Sequence, residues 1–324
     1  LPVVYNERLG IYERGVEIGE TNFDKGDAIE TFGNLEPRVS LSYLLNEKAS
    51  VKAGYSRTDQ NLHLLSNTSS VTPLDVWTPS GKFIKPQLSN QYAIGYFRNF
   101  KDKAYSMEVE AYFKNVDNRI DYIDGSDLIG QNTIETEILN GEMRAYGLEF
   151  LLRKNEGDFT GWLAYTLSKS EQRTPGGTAG GPGINNGDWY NTFFDRTHDI
   201  SVSGAYRLND RFSFGANLVF QTGRPVTYPN GQYEYEGLSI ASYAARNSDR
   251  LPSYHRMDLS LTYKPKKNKT RKWKNEWVLS IYNVYNRKNA ASISFGQNVE
   301  TGANEATRTA IFGMVPSITS NFKF

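Results

Sequence analysis

The sequence lacks cysteine, has only three histidines among its 324 residues and contains no long apolar run. The absence of cysteine excludes a disulfide scaffold and a thiolate metal site. Because no stretch approaches about 18 consecutive apolar residues, helices that span a membrane are excluded. No histidine lies four residues from another, so a multi-histidine metal centre is not predicted. Lysine and arginine (37) balance aspartate and glutamate (36), which gives no indication of nucleic-acid binding.

Aromatic residues and alternating polarity are abundant instead. The sequence has 21 tyrosines and 17 phenylalanines, a composition suited to strands and to the aromatic girdles of membrane barrels. Every second residue is apolar from Tyr105 to Phe113, from Phe212 to Phe220 and from Met257 to Tyr263. Alternation over about 9–11 residues fits a strand that crosses a bilayer at a tilt, whereas strands in soluble proteins are commonly about 5–6 residues long. The pattern therefore favours an all-β membrane protein.

Eleven strands are predicted, joined by connections that alternate between short and long. The predicted strands are Glu36–Leu45, Ala49–Arg57, Gln87–Phe100, Ala104–Tyr122, Leu139–Arg153, Phe159–Ser170, His198–Leu208, Phe212–Gln221, Tyr254–Lys264, Lys274–Asn286 and Thr307–Phe324. The long connections are Thr58–Pro86, Ile123–Ile138, Glu171–Thr197, Thr222–Ser253 and Arg287–Ala306. Antiparallel strands that cross a membrane turn tightly on one side and form long loops on the other. The alternation predicts an antiparallel transmembrane β-barrel with its long connections facing outward.

Residues 1–35 precede these strands and are predicted as a separate region. Glu17–Glu30 is an acidic stretch expected to be an outward loop, and Val3–Val16 is a possible strand. Residues 36–324 form the predicted barrel segment.

Two groups of polar residues admit a catalytic interpretation. They are Asp195, His198 and Asp199, and the carboxylates Glu108, Glu110 and Glu149. The first group could supply an acid and a base, and paired carboxylates are typical of glycosidases. The simpler interpretation is that the first group hydrogen-bonds a loop to the wall and that the carboxylates line a polar barrel interior. The simpler interpretation is favoured, and no catalytic residue is predicted.

Aromatic residues in the long connections are better candidates for ligand contact. The candidates are Trp77, Trp189, Tyr190, Tyr228, Tyr233 and Tyr235. Aromatic faces near Asn, Asp and Arg can stack on a sugar or hold a peptide. They could equally pack the loops together or belong to the interfacial girdle.

A basic run occupies the last of the short connections. Lys264–Lys274 holds seven basic residues, a pattern that could bind phosphate or nucleic acid. Its position on the short-connection side indicates a turn that either lies near lipid headgroups or is simply solvated, and the solvated turn is favoured.

Several segments, taken together and in this order, resemble a known family. They are Gln60–Leu65, Asn140-Gly141 with Ala145–Glu149, Phe194–Asp199, Thr222–Pro225, Arg246-Asn247 with Arg250–Asp258, Ser280–Arg287 and Pro316–Phe324. The chain from about Glu36 onward resembles the C-terminal part of a TonB-dependent outer-membrane receptor, especially the SusC-like type. The resemblance implies that the chain supplies eleven strands of a barrel of about 22. Because single-chain bacterial barrels have even strand numbers, another stretch of polypeptide is expected to close the open edges.

The resemblance also implies a function, a set of partners and an assembly signal. The expected function is active import of a bulky nutrient (glycan, peptide or metal chelate) with energy from the inner membrane, without a cofactor or a covalent step. The expected partners are a TonB-type coupling protein, the plug and N-terminal strands of the same receptor, outer-membrane lipid and, for a SusC-like receptor, a SusD-like surface lipoprotein. Phe322 and Phe324 on the last strand are the expected assembly signal, read by the barrel-assembly machinery. No candidate for the plug or for an energy-coupling motif is recognised in this sequence.

Three alternatives remain open at the level of sequence. The first is a structural barrel subunit of an outer-membrane assembly or secretion complex, the second an outer-membrane enzyme, and the third a soluble multi-strand β protein. Extraction without detergent would favour the third, and association with envelope proteins other than receptors would favour the first.

Overall fold

The computed structural model describes residues 3–8, 11–16, 19, 21–65, 76–123, 126, 134–176, 183–236, 238–243, 245–269, 273–298 and 303–323. Eleven long strands form one antiparallel sheet, here called the wall. They are β1 (Arg38–Asn46), β2 (Ala49–Gln60), β3 (Gln87–Phe100), β4 (Tyr105–Tyr122), β5 (Ile138–Lys154), β6 (Phe159–Arg173), β7 (His198–Arg207), β8 (Phe212–Gln221), β9 (Tyr254–Tyr263), β10 (Lys274–Tyr282) and β11 (Val315–Lys323). Each strand pairs with its neighbours in sequence, and the two-residue strand Tyr190–Asn191 adds to β6.

The connections alternate as the sequence predicts. On one side of the wall they span residues 47–48, 101–104, 155–158, 208–211 and 264–273, and on the other 61–86, 123–137, 174–197, 222–253 and 283–314. These sides are called the short-connection side and the long-connection side. Within the described residues β1 and β11 each have one strand neighbour, so each leaves one edge of backbone hydrogen-bonding groups without a strand partner.

The two faces of the wall differ in polarity because residues directly opposite each other on paired strands share a face. One face carries a row of one valine and four aromatic residues across five strands: Val39, Tyr55, Tyr92, Phe113 and Tyr146. This face remains open, with Leu41 on β1 and Ile318 on β11 both 69% exposed. Soluble proteins rarely expose so extended an apolar surface, and such a surface is a place for lipid or protein contact.

The opposite face is polar. One row across it contains Lys52, Gly95, Glu110, Glu149 and Thr166. Glu110 and Glu149 lie directly opposite each other. The prediction that these carboxylates share the polar face is confirmed.

Smaller elements lie in the long connections and near the N-terminus. They are the hairpins Val3–Asn6 with Ile11–Arg14, Leu62–Leu65 with Val76–Pro79, Pro225–Val226 with Asp249–Arg250, Pro229–Tyr235 with Leu238–Tyr243 and Ser292–Gln297 with Asn304–Thr309, and the 3₁₀ helices Ile134–Thr136, Ile184–Gly187 and Lys266–Lys269. The first hairpin occupies the region predicted as a single possible strand. Residues 21–37 have no regular strand or helix. No helix in the described ranges has the length and apolar character needed to cross a membrane.

The predicted bounds of the last two strands are wrong. β10 ends at Tyr282 rather than Asn286, because Asn283 and Asn286 have left-handed φ values of 52° and 56° and the backbone N–H of Asn283 donates to Asp258 Oδ1 at 2.8 Å. The predicted start of the last strand, Thr307, belongs to the loop hairpin and pairs with Ser294. The final wall strand begins only at Val315.

Candidate functional site

A cavity of about 1020 Å³ lies among the long connections and is here called the loop cavity. Its charged and titratable lining residues are His63, Arg119, Asp121, Arg224 and Arg246, and its aromatic lining residues are Tyr122, Phe193, Tyr228, Tyr243 and Phe295. Three arginines thus face one carboxylate, so the cavity has an excess of positive charge. Apolar and aromatic walls with a few convergent polar groups are typical of ligand sites.

A β-bulge in β4 turns two of these residues toward the cavity. The register with β5 shifts between Asp117 and Arg119, with Asn118 at a left-handed φ of 57°. Without the extra residue, Arg119 and Asp121 would lie on the apolar face, because a shift of one residue exchanges the faces of a strand. Asn118 Nδ2 holds the bulge by donating to the Pro86 carbonyl at 2.8 Å.

Asp121 is the centre of a buried hydrogen-bond network. Its Oδ2 accepts from the Tyr190 hydroxyl and from Gln172 Nε2, and its Oδ1 accepts from Arg246 Nη1 at 2.7 Å. Thr174 Oγ1 lies 3.0 Å from the Tyr190 hydroxyl. The network ties two long connections to the end of β4.

Tyr190 is therefore a structural residue of the loops. It is buried with Leu139 and Ile184 in an apolar cluster, against which Ile11 of the N-terminal hairpin packs. Burial and the neighbouring Asp121 carboxylate raise the pKa of the Tyr190 hydroxyl. The hydroxyl consequently stays protonated and able to donate at neutral pH.

Asparagine amides bind the third and fourth long connections to each other. Asn185 Oδ1 accepts from the backbone N–H of Arg246 at 2.7 Å, and Asn185 Nδ2 donates to the Arg246 carbonyl at 3.0 Å. Asn247 Nδ2 donates to the Asn191 carbonyl at 2.8 Å. Because these bonds fix the backbone at Arg246, its guanidinium is held against both Asp121 and the cavity.

A second buried pair lies beside the cavity. The Asp195 carboxylate, with a side chain 0% exposed, pairs with Arg250 and accepts the backbone N–H of Ser170 at 2.6 Å. His198 is exposed, and its Nδ1 lies 2.9 Å from the Tyr165 hydroxyl. Asp199 accepts from Gln221. The three residues thus have separate partners, and Asp195 hydrogen-bonds a loop to the wall as the favoured interpretation predicts.

Close backbone packing positions Arg224. A Cβ on Gly223 would lie 1.5 Å from the Leu251 carbonyl oxygen, so only glycine permits this approach. Burial, together with the nearby charge of Arg224, lowers the pKa of Arg196. Burial is the larger cause of this lowered pKa, and the charge of Arg224 adds to it.

Two buried donors in the cavity lining lack partners among the described residues. They are Arg119 Nε and the Tyr228 hydroxyl. The Tyr228 ring packs edge-on against Phe295, with centroids 4.9 Å apart. Burial and the Asp249 carboxylate raise the pKa of Tyr228. Since buried donors in native proteins are almost always satisfied, these two are suited to bind water or a ligand.

His63 is 1% exposed and is held between two side chains in the first long connection. Its Nδ1 accepts from Gln87 Nε2 at 3.1 Å, and its Nε2 lies 2.9 Å from Ser80 Oγ. Burial, and then the Arg119 charge, lower its pKa from the ordinary value of 6.5. Protonation would remove the acceptor at Nδ1, so the folded hairpin favours neutral His63.

The hairpin should therefore loosen in acid. A lowered folded-state pKa means that this stabilisation is complete above pH 6.5 and is lost as the pH falls through the folded-state value. We expect the protection of the amides in Leu62–Leu65 against hydrogen exchange to fall between pH 7.5 and pH 5 more in the wild type than in His63→Gln. Comparing the two proteins at each pH removes the intrinsic pH dependence of exchange. An equal fall in protection in both would contradict the role of His63.

The structure distributes the predicted aromatic residues among different environments. Trp77 is 62% exposed, and Tyr233 and Tyr235 lie exposed on the hairpin of the fourth long connection. Trp189 stacks on Arg144 and Arg173, at 4.0 and 5.1 Å from its ring centroid. Of the six candidates only Tyr228 lines the loop cavity.

The predicted assembly residues lie at the other end of the molecule. Phe322 is 64% exposed on β11, and Phe324 lies outside the described residues. The sequence does not single out the three cavity arginines, because basic residues in long loops are common and only the fold brings these together. Within the described residues no group of three or more His, Asp or Glu side chains is suited to a metal ion.

Comparison with known proteins identifies both a family and a fold. A family model described as TonB dependent receptor-like, beta-barrel matches residues 14–286. Similar solved structures include the ferric-catecholate import receptor Fiu of E. coli K12 (18% identity, TM-score 0.56, 96% of this chain and 38% of that one). Another is FpvA of P. aeruginosa bound to a pyoverdine–iron complex, with 14% identity and a TM-score of 0.59 over 89% of this chain and 32% of that one. A third is BauA, the ferric preacinetobactin receptor of Acinetobacter baumannii, with 15% identity and a TM-score of 0.55 over 89% of this chain and 36% of that one. No curated protein matches. The chain thus spans about a third of the length of these structures, which at such identities share its fold.

Proposed function

Because the chain belongs to the TonB-dependent receptor-like β-barrel family, we propose that it supplies part of the wall and the ligand-capturing loops of an outer-membrane import receptor. The open apolar face of the wall would contact lipid, and the polar face would line the lumen. Long connections outside the membrane would then present the loop cavity to the surroundings.

The transported nutrient is a bulky anion, and a metal chelate fits best. The observation that carries this assignment is the buried Arg119 Nε, which has no partner in the described structure and lies in a cavity where three arginines face one carboxylate. Arginine forks bind carboxylate and other planar anionic oxygen pairs, and Tyr228 and Phe295 offer ring faces beside them. The similar receptors from E. coli, P. aeruginosa and A. baumannii have ferric complexes in their names. A neutral glycan would leave the excess positive charge uncompensated.

Import would proceed by capture followed by energised release. Arginines and aromatic rings bind the anion among the loops. A TonB-type protein then relays energy from the inner membrane to a plug inside the barrel, which opens a path along the polar face. No covalent step is involved, and the buried, paired Asp195 is not available to a substrate.

Binding of chelates by arginine variants tests the proposal. We expect Arg119→Gln combined with Arg224→Gln to weaken binding of a ferric catecholate or ferripyoverdine about 100-fold or more, since hydrogen bonds to charged groups contribute about 1.5–3 kcal/mol each and each 1.4 kcal/mol changes an affinity tenfold. Titration of the intact purified protein, followed by intrinsic fluorescence, would measure this. Arg207→Gln, in an exposed pair with Asp158 on the short-connection side, is the matched control.

The same titration with a neutral oligosaccharide separates the remaining ligand classes. Tight oligosaccharide binding without chelate binding would refute the anionic ligand. It would favour the SusC-like type, which the sequence segments that resemble this type support. The expected partner would then be a SusD-like lipoprotein. A structural barrel subunit would bind neither, and the buried Arg119 Nε, which has no partner among the described residues, makes that alternative less favoured.

A further inference from the structure

A second cavity, of about 1030 Å³, opens on the short-connection side of the wall. It lies where β8 to β11 meet the connections 208–211 and 264–273, and is here called the turn cavity. Its cationic lining residues are Arg211, Lys264, Lys266, Lys274 and Lys323, and its acidic ones are Asp210 and Glu276. Five cations therefore face two carboxylates.

Positive charge in the turn cavity is poorly compensated by the protein. Lys274 and Lys323 lie directly opposite each other on β10 and β11, and like charges in this arrangement repel. Neither forms an ion pair within the described residues, whereas Lys264 pairs with Glu276 at 3.3 Å. An anion between the two lysines would relieve their repulsion.

A buried donor lies in the same lining. Arg211 Nε has no hydrogen-bond partner among the described residues, although another nitrogen of its guanidinium donates to the Tyr263 hydroxyl at 2.8 Å. The guanidinium also lies over the Phe212 and Tyr263 rings, at 5.5 and 5.2 Å. The side chain is thus fixed in place with one donor unused.

The turn cavity also reaches the apolar face of the wall. Phe212 and Phe322 line it, and Phe212 pairs with Tyr263 on that face. Lys274, Lys323 and Glu276 lie on the polar face. A cavity that joins cationic groups to an exposed apolar surface fits an amphiphile with an anionic head better than a soluble anion.

We propose that the turn cavity binds the phosphate of an anionic phospholipid in the leaflet on the short-connection side. Lys274, Lys323 and Arg211 would hold the phosphate, and Phe212 and Phe322 would contact the acyl chains. The assignment rests on the proposed membrane location but is independent of the nutrient. It also gives three lysines of the basic run, Lys264, Lys266 and Lys274, a role as one side of a lipid site.

Lipid retention by the intact protein, purified in detergent, tests this assignment. We expect native mass spectrometry to detect bound phosphatidylglycerol, with binding about tenfold weaker or more in Lys274→Gln combined with Lys323→Gln, since each basic residue near an anionic surface contributes about 1 kcal/mol. Phosphatidylethanolamine should bind more weakly than phosphatidylglycerol. Removing two mutually repelling charges should leave the sheet folded, which circular dichroism would verify.

A matched double variant and a soluble phosphate complete the experiment. Lys48→Gln combined with Lys103→Gln removes the same charge from exposed positions on the short-connection side, outside the turn-cavity lining, and should retain lipid like the wild type. Glycerol 3-phosphate should bind at least tenfold more weakly than the lipid, because it lacks acyl chains. If both double variants bound phosphatidylglycerol equally tightly, the site would be overturned. If the wild type bound glycerol 3-phosphate as tightly as phosphatidylglycerol, the lipid assignment would be overturned. Neither result depends on whether the protein binds a chelate.

Discussion

Asp121→Ala is expected to release the fourth long connection from the wall and to raise tryptic cleavage after Arg246 and Arg250 about 100-fold or more. The substitution leaves the Arg246 guanidinium, which is 19% exposed, without its carboxylate. It also removes the acceptor for Tyr190 and Gln172. Breaking one side of a buried ion pair costs about 3–5 kcal/mol, and each 1.4 kcal/mol changes an equilibrium tenfold.

Proteolysis is the suitable measurement because cleavage of a transiently opened loop follows its opening equilibrium. The matched control is Asp158→Ala, which removes a carboxylate from an exposed pair with Arg207. Exposed pairs contribute about 0–1 kcal/mol, so its cleavage pattern in the fourth long connection should not change. If the Asp121 variant were cut after Arg246 no faster than the wild type, the network would not hold this loop.

The wall is predictable from sequence because each strand repeats one local rule, the alternation of apolar and polar residues. Alternation over Phe212–Gln221 and Gln87–Phe100 sets both the faces and the bounds of these strands, which the structure reproduces to the residue. Tight turns such as residues 101–103, all at positive φ, separate them. The alternation does not predict where β10 ends. This strand stops before Asn283, because Asn283 has a left-handed backbone conformation and its N–H donates to the side chain of Asp258 on β9.

The loop cavity is much less predictable because no local rule creates it. The bulge at Asn118 reverses the faces of Arg119 and Asp121, and an isolated asparagine inside an alternating stretch carries little signal. Arg246 meets Asp121 across 125 residues of sequence, a contact that only the folded sheet produces. The predicted loop aromatics therefore include Tyr228, which lines the cavity, but also residues that pack the loops together, such as Tyr190.

Asp195→Ala is expected to destabilise the packing of the third and fourth long connections by about 3–5 kcal/mol while the wall stays folded. The change leaves Arg250 without its carboxylate and the Ser170 N–H without its acceptor. Hydrogen exchange at Ser170 would measure the loss locally, since local opening can occur without global unfolding. Asp195→Asn should cost less, because its amide oxygen still accepts the Ser170 N–H.

The same pair of variants separates a structural carboxylate from a catalytic one. A general base must lie within hydrogen-bond reach of a substrate proton, whereas the Asp195 side chain is completely buried and occupied on both oxygens. A structural role predicts that hydrogen exchange at Ser170 rises while chelate binding declines, and that both change more in the alanine variant than in the asparagine variant. Unchanged exchange in both variants would contradict that role. Since Asp195 ties Arg250 beside Gly223, its loss would also displace the backbone that carries Arg224. The proposed binding in the loop cavity would therefore depend on a residue that touches no ligand.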